Sequence, residues 1–246
     1  MTSFLVFQLY GPMSSWGDIA VGEYRPTVNC PTKSAVLGLL AATFGIRRHE
    51  EDAHLGLHQG YGFAACLLEP GELLRDYHTI QIPKGQKEYA TRRDELVFDR
   101  QDLCTILSKR DYRMDSYALA AFWRREKAPF PLDYILKKLH RPHFVPYLGR
   151  KACPLALPLN PKVMEAETFR EAFSRYPVYS PVIRARDSLH KKTVRYFWDQ
   201  KEPDGVSFGL QATMVYPRRD KVISRKRWQF ANRDEYTGQG IFREDI

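Results

Sequence analysis

PTKSAVLGLLAATFG, residues 31–45, decides how the rest of this 246-residue chain is read. Thr32 stands where an N-cap hydroxyl can take a free amide of the first helical turn. Behind it, Val36, Leu37, Leu39, Leu40 and Phe44 recur at spacings of three and four, the period of a helix with one face on a core. Gly45 falls at the place of a left-handed C-cap. Before this helix, Phe4 to Leu9 is a nearly continuous apolar run closed by Gly11-Pro12, which predicts a buried strand and a turn. After it, a weaker helix is predicted from about Glu50 to Gln59 and a strand from Tyr61 to Leu68, ended by Pro70-Gly71.

Between Leu74 and Trp123 the tripeptide Arg75-Asp76-Tyr77 returns as Arg110-Asp111-Tyr112 around a polar middle, Pro83 to Arg93. This pattern predicts a long hairpin or arm with a mobile tip, its outer strand running on into Tyr117 to Trp123. Helices are predicted over Leu132 to Leu139 and Glu165 to Tyr176, the second ending before Pro177. Strand-like segments follow at Tyr179 to Arg184, Val194 to Trp198, Leu210 to Tyr216 and Arg227 to Ala231, and Pro158 to Pro161 is the candidate subdomain boundary.

With 43% hydrophobic and 27% charged residues the composition is that of a folded globular domain, which argues against disorder. No apolar run approaches the ~18 residues of a bilayer span, so no membrane contact is expected. The first residues lack a signal peptide's basic region and cleavage site. Cys30, Cys66, Cys104 and Cys153 are scattered, which fits a reducing cytoplasm better than a disulfide or zinc framework. The excess of 38 Lys+Arg over 29 Asp+Glu, a formal net charge of +9, points to a polyanion partner. That excess is uneven: no acid occurs from Tyr134 to Met164, and Arg218, Arg219, Lys221, Arg225, Lys226 and Arg227 form a second basic run.

Catalytic motifs are weak. Gly205-Val206-Ser207-Phe208-Gly209 satisfies G-x-S-x-G, but a turn precedes it and the last histidine, His190, lies upstream, which is the wrong order for a hydrolase. His54 and His58 have metal-ligand spacing without the intervening glutamate or a third ligand, so a solvated or partly packed pair is the expectation. No P-loop or dinucleotide motif occurs, and no cofactor or metal is expected. A metal-independent endoribonuclease using His78 beside Tyr77, or His140 near Lys138, stays open as the alternative.

Three segments mix aromatics and cations in the way that RNA-binding surfaces do. Trp16, Tyr24, Arg25 and Lys33 surround the first loop and the helix N-terminus, whose free amides at 32–35 can receive a phosphate. Tyr77, His78, Arg110 and Tyr112 line the arm. Tyr147, Gly149, Arg150 and Lys151 form the third, where glycine lets a phosphate approach the backbone.

The ordered motifs 11–17 (GPMSSWG), 25–27 (RPT), 31–40, 74–79 (LRDYHT) and 146–155 (PYLGRKACPL) resemble the CasD subunits of type I-E CRISPR Cascade complexes, within the repeat-associated mysterious protein superfamily. Residues 229–233 (QFANR) look like that family's C-terminal signature, while 200–216 and 238–246 fit its pattern poorly and are assigned nothing. The resemblance implies an α+β chain: a ferredoxin-like, RRM-related domain over 1–160, a β-hairpin thumb inserted at about 74–117, and a smaller β-rich C-terminal subdomain over 161–246. It implies a non-catalytic subunit that holds the 5′ handle of the guide RNA and contacts the backbone subunit and the large PAM-reading subunit, meeting target DNA only through the complex. In type I-E systems a separate subunit cuts the precursor, whereas type I-C relatives cut it themselves with a Tyr, Lys and His set. Carried over, Trp16 to Thr27 with Lys33 and Ser34 would lie near the handle. Leu148, Gly149, Arg150 and Lys151 would hold its phosphates, beside Tyr147, and Arg75, Tyr77, His78, Arg110 and Tyr112 would belong to the thumb.

Overall fold

Strand β1 (Thr2–Tyr10) lies at the centre of two cores, because both of its faces are covered. In the computed structural model of the chain, which describes residues 1–85, 88–97, 100–178, 192–199 and 209–243, Leu5, Phe7 and Leu9 face one core and Phe4 and Val6 the other. A strand covered on both sides has no reason to alternate apolar with polar residues, which explains the run at 4–9, apolar except for Gln8. Each large apolar side chain buried this way stabilises by about 1.5–3 kcal/mol.

Two short strands, β2 (Met13–Ser14) and β3 (Tyr24–Arg25), precede helix α1 (Lys33–Phe44). Thr32 accepts from the Ala35 amide and Gly45 closes the helix at φ 79°, as the spacing predicts. The chain continues through α2 (Glu51–Gly60), β4 (Tyr61–Glu69), β5 (Glu72–Pro83), α3 (Arg92–Leu96), β6 (Leu103–Met114), β7 (Tyr117–Arg124) and α4 (Leu132–His140). It ends with β8 (Lys162–Ala166), α5 (Phe169–Arg175), β9 (Thr193–Trp198), β10 (Met214–Ser224) and β11 (Gln229–Ile241).

Seven strands form one sheet in the order β10-β11-β9-β4-β7-β1-β8, with every neighbouring pair antiparallel. Helices α1, α2 and α4 cover one face through Val36, Leu40, Leu57, Ile135 and Leu139. Helix α5 covers the other with Phe169, Ala172 and Phe173, against Trp123 and Trp198. The chain is therefore a mixed α+β protein with mostly antiparallel sheets. Beyond the expected boundary at 160/161, β8 rejoins the sheet at β1 and β9 rejoins it at β4, so strands from both sides of that point share hydrogen bonds.

Strands β5 and β6 form a long hairpin, paired without a break from Glu72↔Met114 to Pro83↔Leu103. The repeated tripeptide sets this register: run antiparallel, Arg75 falls opposite Asp111 and Asp76 opposite Arg110, so opposite charges meet on each face. At the root, Gly71 takes φ 64°, and a Cβ there would lie 2.2 Å from the Met114 carbonyl, where the hairpin leaves β4 and β7. Near the tip, the polar middle runs into α3, whose start is fixed by a Thr91–Asp94 capping box.

Several boundaries differ from the sequence reading. The helix expected from Glu165 begins only at Phe169, because 162–166 pair with β1 and Thr168 caps the helix by accepting from the Glu171 amide at 3.0 Å. The strand expected over 210–216 starts at Met214. The one expected over 227–231 starts at Gln229 after a turn and runs on to Ile241, pairing β10 on one side and β9 on the other. The segment 179–184 and the first four residues of the G-x-S-x-G motif lie outside the described residues.

Candidate nucleic-acid interface

Strand β3 lies parallel to β6, with Tyr24 beside Lys109 and Arg25 beside Arg110, which brings the first loop onto the root of the hairpin. Asp111 is the hub there. Arg75 donates to it from Nε at 2.9 Å and Nη2 at 3.1 Å, and the Tyr24 hydroxyl donates to the same carboxylate. Arg75 also donates to the Tyr24 oxygen at 2.9 Å and packs 5.1 Å from the ring centroid. The hydrogen bond from Arg75 holds the Asp111 carboxyl below its usual range, and the same partnership raises Arg75.

Arg150 joins this cluster from the third segment. Its guanidinium donates to the carbonyls of Asp111 at 3.0 Å and Arg25 at 2.9 Å and lies 4.9 Å from the Tyr112 ring centroid. The approach depends on Gly149, whose φ is 82° and whose Cβ, if it had one, would sit 1.7 Å from the Ser15 carbonyl oxygen. The amide of Ser15 in turn donates to Leu148 O at 3.0 Å, which locks the loop against the first segment. Trp16 N to Thr27 Oγ1 at 2.9 Å, and Thr32 Oγ1 to Trp16 O at 3.1 Å, carry the lock on to α1.

Of the residues singled out in the sequence, Arg25, Arg75, Tyr77, Tyr147 and Lys151 are exposed around this root. Thr27, Ser34, His78, Arg110, Gly149 and Arg150 are half-buried. Trp16, Tyr112 and Leu148 are buried, so their surfaces support the site from beneath and offer no stacking platform. Strand alternation also divides the arm: Arg75 and Tyr77 face one side with Asp111 and Lys109, whereas His78 and Arg110 face the other. His78 there lies 2.5 Å from Asp76.

Lys33 requires a correction. Expected among the RNA-binding residues near the handle, it is 1% exposed and donates to Asp199 at 2.5 Å and to the Tyr61 carbonyl at 2.8 Å. Burial lowers its pKa, with Asp199 opposing. Burial alone would raise Asp199, but the charges of Lys33 and Arg125 hold it below its ordinary value. The helix N-terminus is likewise taken: the Ser34 amide donates to Asp220 at 3.3 Å, and Arg233 holds that carboxylate from Nε at 2.6 Å and Nη2 at 3.1 Å. Arg233 also reaches Glu235 at 3.0 Å, which pairs with Arg218 at 2.5 Å. A carboxylate of this chain thus occupies the place at 32–35 expected for a phosphate.

His54 and His58 are not solvated. His54 Nε2 lies 3.1 Å from the Arg47 carbonyl oxygen, and burial, then the charge of Lys33, pushes His58 down to about 3. Among the described residues no group of three or more His, Cys, Asp or Glu is arranged to hold a metal. Asp111, Asp199 and Asp220 were missed in the sequence. A signal for the last two exists, because a lysine in the first turn of a helix opposes the dipole and calls for a dedicated carboxylate.

Residues 4–234 match the family described as "CRISPR-associated protein (Cas_Cas5)". The Cascade subunit CasD of Escherichia coli K12 is 30% identical over 197 residues, covering 77% of this chain and 84% of that protein. Among solved structures, a chain of a "CRISPR RNA-guided surveillance complex" superposes with a TM-score of 0.63 at 23% identity, over 96% of this chain and 89% of that one. A "Crystal structure of Cas protein" superposes with a TM-score of 0.60 at 20% identity, over 97% and 94% of the two chains.

Proposed function

Because the chain belongs to the CRISPR-associated Cas5 family, we propose that it serves as the non-catalytic, CasD-like subunit of a type I-E surveillance complex and holds the 5′ handle of the guide RNA at the root of the β5–β6 hairpin. The observation that carries this reading is the convergence of three distant segments: Tyr24 and Arg25, Arg75 with Asp111, and Tyr147 to Lys151 meet in one cationic, aromatic surface. Exposed Arg25, Arg75 and Lys151 supply charge for phosphates, and exposed Tyr77 and Tyr147 supply faces for bases. Buried Asp111 acts as the post that fixes Arg75 and Tyr24, so the surface is ordered before RNA arrives. Lys33 and the α1 N-terminus belong to the scaffold and are not part of this surface.

In this reading β1-α1-β4-β7-α4-β8 is the ferredoxin-like unit, supported by the strand order β4-β7-β1-β8, and β5–β6 is the thumb inserted between its second and third strands. The remaining partners are the backbone subunit and the large PAM-reading subunit, with target DNA met through the complex. No helix among the described residues is long and apolar enough to cross a membrane.

Lys151 is the cleanest probe, since Arg150 also braces two backbone carbonyls. Neutralising one phosphate contact on a single strand changes the slope of log K against log salt by about 0.7. Lys151→Ala should lower the slope for handle RNA by that amount with no change in thermal stability. An unaltered slope, together with unaltered guide RNA retention in Tyr77→Ala, removes the hairpin root as the site.

A further inference from the structure

The turn between β10 and β11 carries a second cluster, which shares no residue with the hairpin root. Trp228 is 57% exposed and held at φ 56°, a left-handed conformation that a bulky side chain rarely adopts and that concentrates at ligand-contacting sites. The Arg48 guanidinium lies 4.7 Å from its ring centroid and that of Arg225 lies 4.9 Å away. Two cations are thus gathered on one indole, no more than about 10 Å apart. Among the described residues neither is paired with a carboxylate. Glu51 accepts from Ser224 Oγ and from the Lys226 amide at 3.4 Å, and so fixes the turn itself.

Arg225 is half-buried, lying over α1 where Gly38 leaves room: a Cβ there would be 3.3 Å from its Nη2. Burial and the charge of Arg48 both lower its pKa, so the cation is held in place against desolvation and a like charge. A half-buried cation left without a carboxylate costs stability, so stability does not account for its place there. Exposed Lys226 and Arg227 extend the charge along the same turn.

We infer that the Arg48–Arg225–Trp228 cluster is a second nucleic-acid contact, in which the two guanidiniums share the phosphates of a single strand and the exposed indole receives the adjoining base. Charge alone would fit an acidic protein segment equally well. The exposed, pre-set tryptophan among four cations favours a nucleic-acid strand, because bases supply the flat face that an indole stacks on.

The test uses the full chain and a fluorescein-labelled oligothymidylate of roughly 12 nucleotides, which lacks any handle sequence and spans a typical single-strand site. Anisotropy is titrated across salt. Arg48→Gln and Arg225→Gln should each weaken binding and lower the salt slope by about 0.7. Trp228→Asn, which tolerates a left-handed backbone, should weaken binding about tenfold with the slope retained. Arg48 lies in an exposed loop, so its variant reports on binding even where Arg225→Gln loosens the turn. Unchanged affinity and slope in both arginine variants overturn the inference, as does equal displacement of the probe by polyglutamate, which would assign the cluster to an acidic protein. Lys151→Ala titrated with handle RNA in parallel separates the two sites: either can fail while the other stands.

Discussion

Removing Asp199 should unfold the protein at a much lower temperature while leaving its RNA electrostatics untouched. This carboxylate is 3% exposed and accepts from Lys33 at 2.5 Å, from Arg125 at 3.3 Å and from the Phe63 amide at 3.2 Å. Asp199→Ala takes the carboxylate away from Lys33, Arg125 and the Phe63 amide at once. Breaking a buried pair from one side costs about 3–5 kcal/mol. In a chain of this length each kcal/mol moves Tm by about 2–4 °C, so a drop of about 6–20 °C is expected by differential scanning calorimetry. Lys33→Met should fall toward the lower end, because Arg125 stays to neutralise Asp199. The double variant Lys33→Met/Asp199→Ala should lose less than the two single losses together, with a coupling of at least about 1 kcal/mol. Lys33→Met, assayed well below its Tm, should keep the full salt slope for handle RNA. A drop under about 3 °C, an additive double variant, or a slope reduced by about 0.7 would refute the assignment of Lys33 to the scaffold.

Two further outcomes follow from the same geometry. Folding pushes His58 down to about 3, so between there and its ordinary value near 6.5 the unfolded chain binds more protons, and stability falls as pH drops through that window. From pH 6.5 to 5 this group should remove about 1.6 kcal/mol, measured by urea unfolding, and His58→Gln should flatten the profile; an equally steep variant would exclude His58 as the source. Gly149→Ala should cost at least about 2 kcal/mol, since it combines φ 82° with a Cβ 1.7 Å from Ser15 O, and should weaken handle RNA binding without removing any charge. Wild-type Tm and affinity in that variant would mean the loop is not held as described.

Local signals were legible where one residue type answers one backbone need. Thr32 and Gly45 bound α1, and the nearly continuous apolar run 4–9 announces a buried strand. The Arg-Asp-Tyr repeat encodes the hairpin register, since antiparallel pairing of identical tripeptides sets each arginine against an aspartate. Position relative to a distant element was not legible. Lys33 faces inward because Asp199 waits more than a hundred and sixty residues further on, and no local pattern links the two. Trp16 and Tyr112 have the composition of stacking platforms but are covered by neighbours contributed from elsewhere in the chain. The helix expected from Glu165 lost its first residues to β1, an edge that sequence periodicity does not see.

Net charge survived these corrections although several of its individual bearers did not. The internal network takes in Lys33, Arg125, Arg218 and Arg233, which would seem to weaken the case for a polyanion partner. It also takes in Asp199, Asp220 and Glu235. Burying four cations with three acids withdraws only one unit of positive charge, so eight of the nine net charges remain elsewhere in the chain. The field that draws a polyanion is set by that remainder, and it reports the sign of the partner without naming the residues that touch it. Those are chosen by which cations lack an acid of their own. Lys151, Arg48 and Arg225 meet that condition among the described residues, whereas Arg75, tied to Asp111, would serve the proposed site as a positioned donor whose charge is already half answered.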